Sequence, residues 1–127
     1  MQNQPGTLDF ALAIDIGGTK VAFAFVDISG KELIPSETHP VPFDDSHRAI
    51  PEKIIDLIAP YVEQAKTMPG RLLGIGLSNC GNVDTKTGMA TLVANLGWRY
   101  VPIGQMITDA FGLPVYAATD VRMPLVG

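Results

Sequence analysis

Three short stretches of this 127-residue chain bring together residue types that do chemistry. The first is Asp15-Ile16-Gly17-Gly18-Thr19-Lys20: an acid, paired glycines, a hydroxyl and a cation. Glycines let a backbone approach an anion closely, and successive N–H groups in such a turn form a concave nest for phosphate. Thr19 adds a donor and Lys20 a positive charge. Asp15 suits Mg²⁺, which takes few carboxylates and keeps several waters. The pattern is neither the Walker loop nor GxGxxG, and its glycines lie in a hairpin rather than ahead of a helix. A plain tight hairpin with glycines at positive φ, and Asp15 paired to a nearby donor, accounts for the same residues.

The second stretch is Gly74-Ile75-Gly76-Leu77-Ser78-Asn79-Cys80-Gly81-Asn82-Val83-Asp84. Small residues at the end of a strand open space and expose backbone groups, which suits a polar ligand. Tight packing of a strand against a helix explains them equally. The third is Thr119-Asp120. In open α/β sheets ligands gather beyond the carboxyl ends of strands, where Asp120 is placed to accept a proton from a hydroxyl during phosphoryl transfer. A helix N-cap is the competing role for the same aspartate.

The elements that must position these stretches are readable from periodicity. Phe10 to Ile16 is an apolar run carrying one acid and predicts a buried strand. Val21 to Ile28 predicts a second strand, joined to the first by a hairpin over 17–20, and Lys31 to Val41 a third extended segment. Asp44, Asp45 and Ser46 offer N-caps for a helix in which Ile50, Ile54, Leu57, Ile58, Tyr61 and Val62 recur at helical spacing. Pro51 fits its opening turn, Pro60 is expected to kink or end it, and Pro69-Gly70 terminates the unit. Leu72 to Ser78 predicts a strand, Met89 to Ala94 a short one, Ile103 to Phe111 an amphipathic helix ended by Gly112, and Val115 to Ala118 a last strand. His39 and His47 fall before the first helix, match no motif and are expected to be solvent-exposed. The whole predicts one α/β domain over residues 1–127. Its core is a mixed five-stranded sheet, with a three-strand antiparallel meander and flanking helices.

Composition narrows the function. Nine Lys and Arg against thirteen Asp and Glu give a net charge of −4. The basic residues are scattered, which argues against a nucleic-acid partner, since that affinity rests on clustered cations. One cysteine, Cys80, excludes an internal disulfide. No apolar stretch approaches the ~20 residues of a membrane span, and MQNQPGTLD lacks the pattern of a signal peptide, so a cytoplasmic protein is expected.

Taken together and in order, these stretches resemble the N-terminal domain of the ROK-family sugar kinases, whose fold is the ribonuclease-H-like domain shared with actin and hexokinase. DIGGTK (15–20) matches the family's first phosphate motif, and GIGLSNCGNVD (74–84) its glycine-rich strand and sugar loop. NLGW (95–98) followed by Val101-Pro102-Ile103 matches the approach to the second helix, and GLPV (112–115) leads to Asp120 at the catalytic aspartate. The resemblance covers about Asp9 to Gly127. It implies that Asp15, Gly17, Gly18, Thr19 and Lys20 surround the phosphates of ATP and their Mg²⁺, with Asp15 toward the metal. It implies that Gly81, Asn82 and Asn95 bond the hydroxyls of a hexose or N-acetylhexosamine, and that Asp120 takes the proton from the attacking hydroxyl.

Some positions depart from the family. Thr119 stands where its members place Asn, offering a hydroxyl for a two-sided amide in contact with the sugar. Arg122 is close enough in sequence to pair with Asp120 and lower its basicity. The family's histidine- and glutamate-bearing sugar motif, zinc site and adenosine-binding segment belong to a C-terminal domain that this chain lacks. That domain is an expected partner, and the resemblance also brings a homodimer into view. A non-catalytic sugar-sensing relative is the alternative. Repressors of the family carry an N-terminal winged helix, for which the fourteen residues before Asp15 are too few.

Overall fold

The computed structural model describes residues 9–79, 82–83 and 89–118. The chain runs β1 (Asp9–Ile16), β2 (Lys20–Asp27), β3 (Glu32–Pro40), α1 (Pro51–Ala65), β4 (Arg71–Asn79), β5 (Asn82–Val83), β6 (Ala90–Val93), β7 (Trp98–Val101), α2 (Ile103–Phe111) and β8 (Val115–Ala118). Five strands form one sheet in the order β3-β2-β1-β4-β8. β1, β2 and β3 make the expected antiparallel meander, while β4 pairs parallel with both β1 and β8. This is the expected mixed five-stranded α/β sheet.

Alternation along β1 sends Phe10, Leu12, Ile14 and Ile16 to one face, where they join Ile54 and Ile58 of α1 and Ile103 and Ile107 of α2 in the main core. The opposite face carries a smaller cluster of Ala11, Ala13 and Val26. α1 opens on Pro51, whose missing N–H costs nothing in the first turn. Pro60, expected to kink or end the helix, does not end it: the helix runs to Ala65, with Pro60 on its exposed side.

Two further expectations are corrected. None of Asp44, Asp45 and Ser46 caps α1, whose N-cap is Ile50, without a side-chain hydrogen bond. Asp44 instead closes a hairpin over residues 41–50: its Oδ1 accepts the N–H groups of Ser46 at 2.8 Å and Arg48 at 3.0 Å, and Phe43 bridges Ala49. His39, in β3, is half-buried rather than solvent-exposed, its Nε2 2.8 Å from the Tyr61 hydroxyl. That hydroxyl in turn donates to Glu37 Oε1 at 2.5 Å, so the tautomer that fits presents N–H at His39 Nε2. Beneath the group, Phe23 stacks on Tyr61 with ring centroids 4.3 Å apart. His47, exposed as expected, takes φ 60° and stacks on Phe43.

A second sheet, β5-β6-β7, is antiparallel and three-stranded. Of it, only a short strand near β6 was expected. Between β6 and β7 lies a single 3₁₀ turn, Ala94–Leu96.

Candidate functional site

The site begins where β1 and β4 end side by side. Their parallel register sets Asp15 beside Ser78, and that of β4 and β8 sets Ser78 beside Ala118. Three strands therefore deliver their carboxyl ends to one edge, the place where an open α/β sheet receives ligands. Ser78 is fully buried, and its Oγ donates to Asp15 Oδ1 at 2.9 Å. The bond orients a half-buried carboxylate while leaving its other oxygen without a hydrogen bond among the described residues.

Beyond Asp15 the chain turns through Gly17 and Gly18 into β2. The turn is closed by Gly17 N–H to Lys20 C=O at 2.8 Å and fastened to the segment just past β3 by Val41 N–H to Thr19 C=O at 2.9 Å. Neither glycine takes a left-handed φ. The hairpin explanation, glycines needed for positive φ, therefore does not apply, and what distinguishes both positions is close approach of neighbouring atoms. A Cβ on Gly17 would stand 3.1 Å from the Lys20 carbonyl oxygen, and one on Gly18 would meet Asn95 Nδ2 at 3.3 Å. Thr19 and Lys20 are exposed beside them.

Asn95 sits in the 3₁₀ turn, with its side chain exposed. The exit of that turn is pinned three ways. Ala49 N–H donates to Leu96 C=O at 2.8 Å. The buried indole of Trp98 donates from Nε1 to Ala49 C=O at 2.9 Å. Gly97 takes φ +68°, with Arg48 Cα only 3.2 Å from where its Cβ would be. The hairpin 41–50 thus holds the glycine turn through Val41 and the 3₁₀ turn through Ala49.

Of the residues expected to act, Asp15, Gly17, Gly18, Thr19, Lys20 and Asn95 are brought together here. Asn82 opens β5, opposite Leu92 of β6. Gly81, Thr119 and Asp120 lie outside the described residues, as do Cys80 and Arg122. Gly74 belongs to the packing and not to the site: a Cβ there would come within 2.8 Å of the Pro114 carbonyl oxygen and 3.2 Å of the Tyr116 ring. Ser78 was passed over as a site residue. The signal for it was a hydroxyl closing an otherwise apolar strand that runs parallel to the one carrying Asp15.

Among the described residues no three metal-ligating side chains cluster. One oriented carboxylate beside a glycine turn nevertheless fits Mg²⁺, which uses one or two carboxylates and takes its remaining ligands from phosphate and water.

Comparison with known proteins extends the picture. The sequence pattern of the ROK family matches residues 11–127. Glucokinase of Streptomyces coelicolor is 32% identical over 113 residues, spanning 89% of this chain and 33% of that protein. The xylose repressor of Caldicellulosiruptor bescii is 27% identical over 116 residues, 91% of this chain and 29% of its own length. The crystal structure of a ROK family glucokinase from Streptomyces griseus, in complex with glucose and AMPPNP, superposes with a TM-score of 0.69 at 27% identity, covering 87% of this chain and 33% of that one. The chain thus spans about a third of the length of the curated relatives it matches.

Proposed function

The chain belongs to the ROK family, and from that premise we propose that it is the nucleotide- and sugar-binding N-terminal domain of a kinase that transfers the γ-phosphoryl group of ATP to a hexose hydroxyl. The observation that carries this reading is the Asp15 carboxylate, oriented by Ser78 beside two glycines whose missing side chains leave room for close approach. Three strand ends converge on that edge, and Asp120 follows two residues after the last of them.

In this reading the turn 17–20 binds the phosphates with backbone N–H groups, the Thr19 hydroxyl and the Lys20 ammonium. Asp15 holds Mg²⁺, which when bound neutralises charge on the phosphates. Gly81, Asn82 and Asn95 hold the sugar, with Thr119 beside it. Asp120 accepts the proton of the sugar hydroxyl, most simply the 6-hydroxyl, as its oxygen bonds to the γ-phosphorus and the bond to ADP breaks. The protein's contribution is chiefly positioning and charge stabilisation, as in phosphoryl transfer generally. In this reading the adenosine is held by the family's C-terminal domain, outside the third of the relatives' length that this chain spans.

A second reading, a sugar-binding regulator without transfer activity, is favoured by the xylose repressor among the relatives. One assay separates the two: ATP-dependent phosphorylation of a panel of hexoses and N-acetylhexosamines, run on this chain and on the product of its complete open reading frame. A kinase phosphorylates at least one sugar, and Asp120→Asn lowers kcat by about a hundredfold or more. A product that binds sugar yet transfers nothing to any of the panel sinks the kinase reading in favour of the regulator.

A further inference from the structure

Gly18 has a neighbour that its place in a phosphate turn does not require. The three heavy atoms nearest to a Cβ built on it all belong to the Asn95 side chain: Nδ2 at 3.3 Å, Cβ at 3.4 Å and Cγ at 3.6 Å. The carboxamide therefore lies along the Gly18 backbone. Because Gly18 has no left-handed φ, what a side chain at this position would meet is the Asn95 carboxamide, which would have to shift by a few tenths of an ångström to admit it.

Backbone recoil is restricted on both sides. The turn is held by the Gly17–Lys20 and Val41–Thr19 hydrogen bonds, at 2.8 and 2.9 Å. The 3₁₀ turn is held by Ala49 N–H on Leu96, by the Trp98 indole on Ala49 and by the close pass of Gly97 over Arg48. What remains free to move is the exposed Asn95 side chain.

We propose that Asn95 is a positioning residue shared by both substrates. Its carboxamide, seated on the Gly18 peptide, transmits sugar occupancy to the phosphate turn, and Gly18 is glycine to admit it. The inference rests on the kinase reading for the identity of the two ligands. It adds a coupling between them, which linkage makes reciprocal. A methyl group at position 18 then damages sugar binding from inside the nucleotide turn.

The test titrates glucose and AMP-PNP, separately and together, onto wild type, Gly18→Ala, Asn95→Ala and the double variant of the complete open-reading-frame product. Glucose is expected to tighten AMP-PNP binding by about fivefold or more in wild type, the lower end of ordinary coupling, and by less than about twofold in either single variant. Gly18→Ala weakens glucose about tenfold, and the double variant binds glucose no more weakly than Asn95→Ala, because residues in contact are not additive. Unchanged glucose affinity in Gly18→Ala, or losses that multiply in the double variant, overturns the proposal. Should Gly18→Ala fail to fold, retention of the wild-type coupling by Asn95→Ala overturns it instead. A wild type that binds neither ligand removes the kinase reading and this coupling together. One that binds both while Gly18→Ala behaves as wild type removes the coupling only.

Discussion

The hydroxyl of Ser78 reaches the carboxylate of Asp15 at 2.9 Å across 63 positions of sequence, at the shared end of two parallel strands. A half-buried carboxylate held at one oxygen presents the other in a defined direction, which a ligand-bearing aspartate needs.

Removing that restraint should loosen metal use before it loosens the fold. On the kinase reading, Ser78→Ala in the complete open-reading-frame product should raise the Mg²⁺ concentration for half-maximal phosphorylation about tenfold, the lower range for loss of a group that orients a metal ligand. Thermal unfolding should shift by no more than the ~1 kcal/mol of one hydrogen bond. A variant with unchanged Mg²⁺ dependence would show that Ser78 does not orient Asp15 for metal.

Gly74 should behave oppositely, as a packing residue. An added methyl would lie 2.8 Å from the Pro114 carbonyl oxygen, a backbone atom fixed by the Ile75 N–H at 2.9 Å. Gly74→Ala should therefore force β8 off β4 at a cost of about 1–3 kcal/mol, lowering Tm by roughly 5–15 °C. Circular dichroism melting checks this, and an unchanged Tm refutes the steric account.

The Tyr61 hydroxyl loses its proton far less readily than a free tyrosine, first because burial disfavours the phenolate and second because it donates to the Glu37 carboxylate. Its contribution to stability is complete below the unfolded value near pH 10 and fades as pH rises above that, since only the unfolded chain ionises readily there. Wild-type Tm should accordingly fall more steeply above about pH 10 than that of Tyr61→Phe. At pH 7 the variant should be less stable by about 1 kcal/mol, having lost two hydrogen bonds and left His39 Nε2 without its partner. Parallel pH profiles would dismiss this role for the hydroxyl.

How much of this was legible depended on the distance over which each feature is decided. α2 is bounded by local signals, with Ile103 and Ile107 buried along one face and Gly112 closing the helix at φ 69°, and its ends were readable from the sequence. The same holds for β1 and β2, whose apolar runs are long. Asp15, Gly18 and Asn95 were identifiable by type and spacing, but the contact of Asn95 with Gly18 was not. That contact depends on the 3₁₀ turn being pinned to Ala49, a pairing no local pattern encodes. The Asp44 cluster misled for a related reason. A run of Asp, Asp and Ser serves a helix cap or a tight loop equally well, and tertiary contacts at Ala49 chose the loop. The burial of His39 was missed because Tyr61, the partner that draws it into the fold, lies 22 residues further along.

The hairpin 41–50 is fastened to its neighbours by the main-chain groups of Val41 and Ala49. Main-chain fasteners are indifferent to side-chain identity and intolerant of length. Drift in the composition of residues 45–47 should therefore be nearly neutral. One inserted residue would displace Ala49 from Leu96 by up to about 3.3 Å, more than a hydrogen bond survives. Across descendants of this sequence, insertions and deletions should avoid this segment even where residues 45–47 diverge freely.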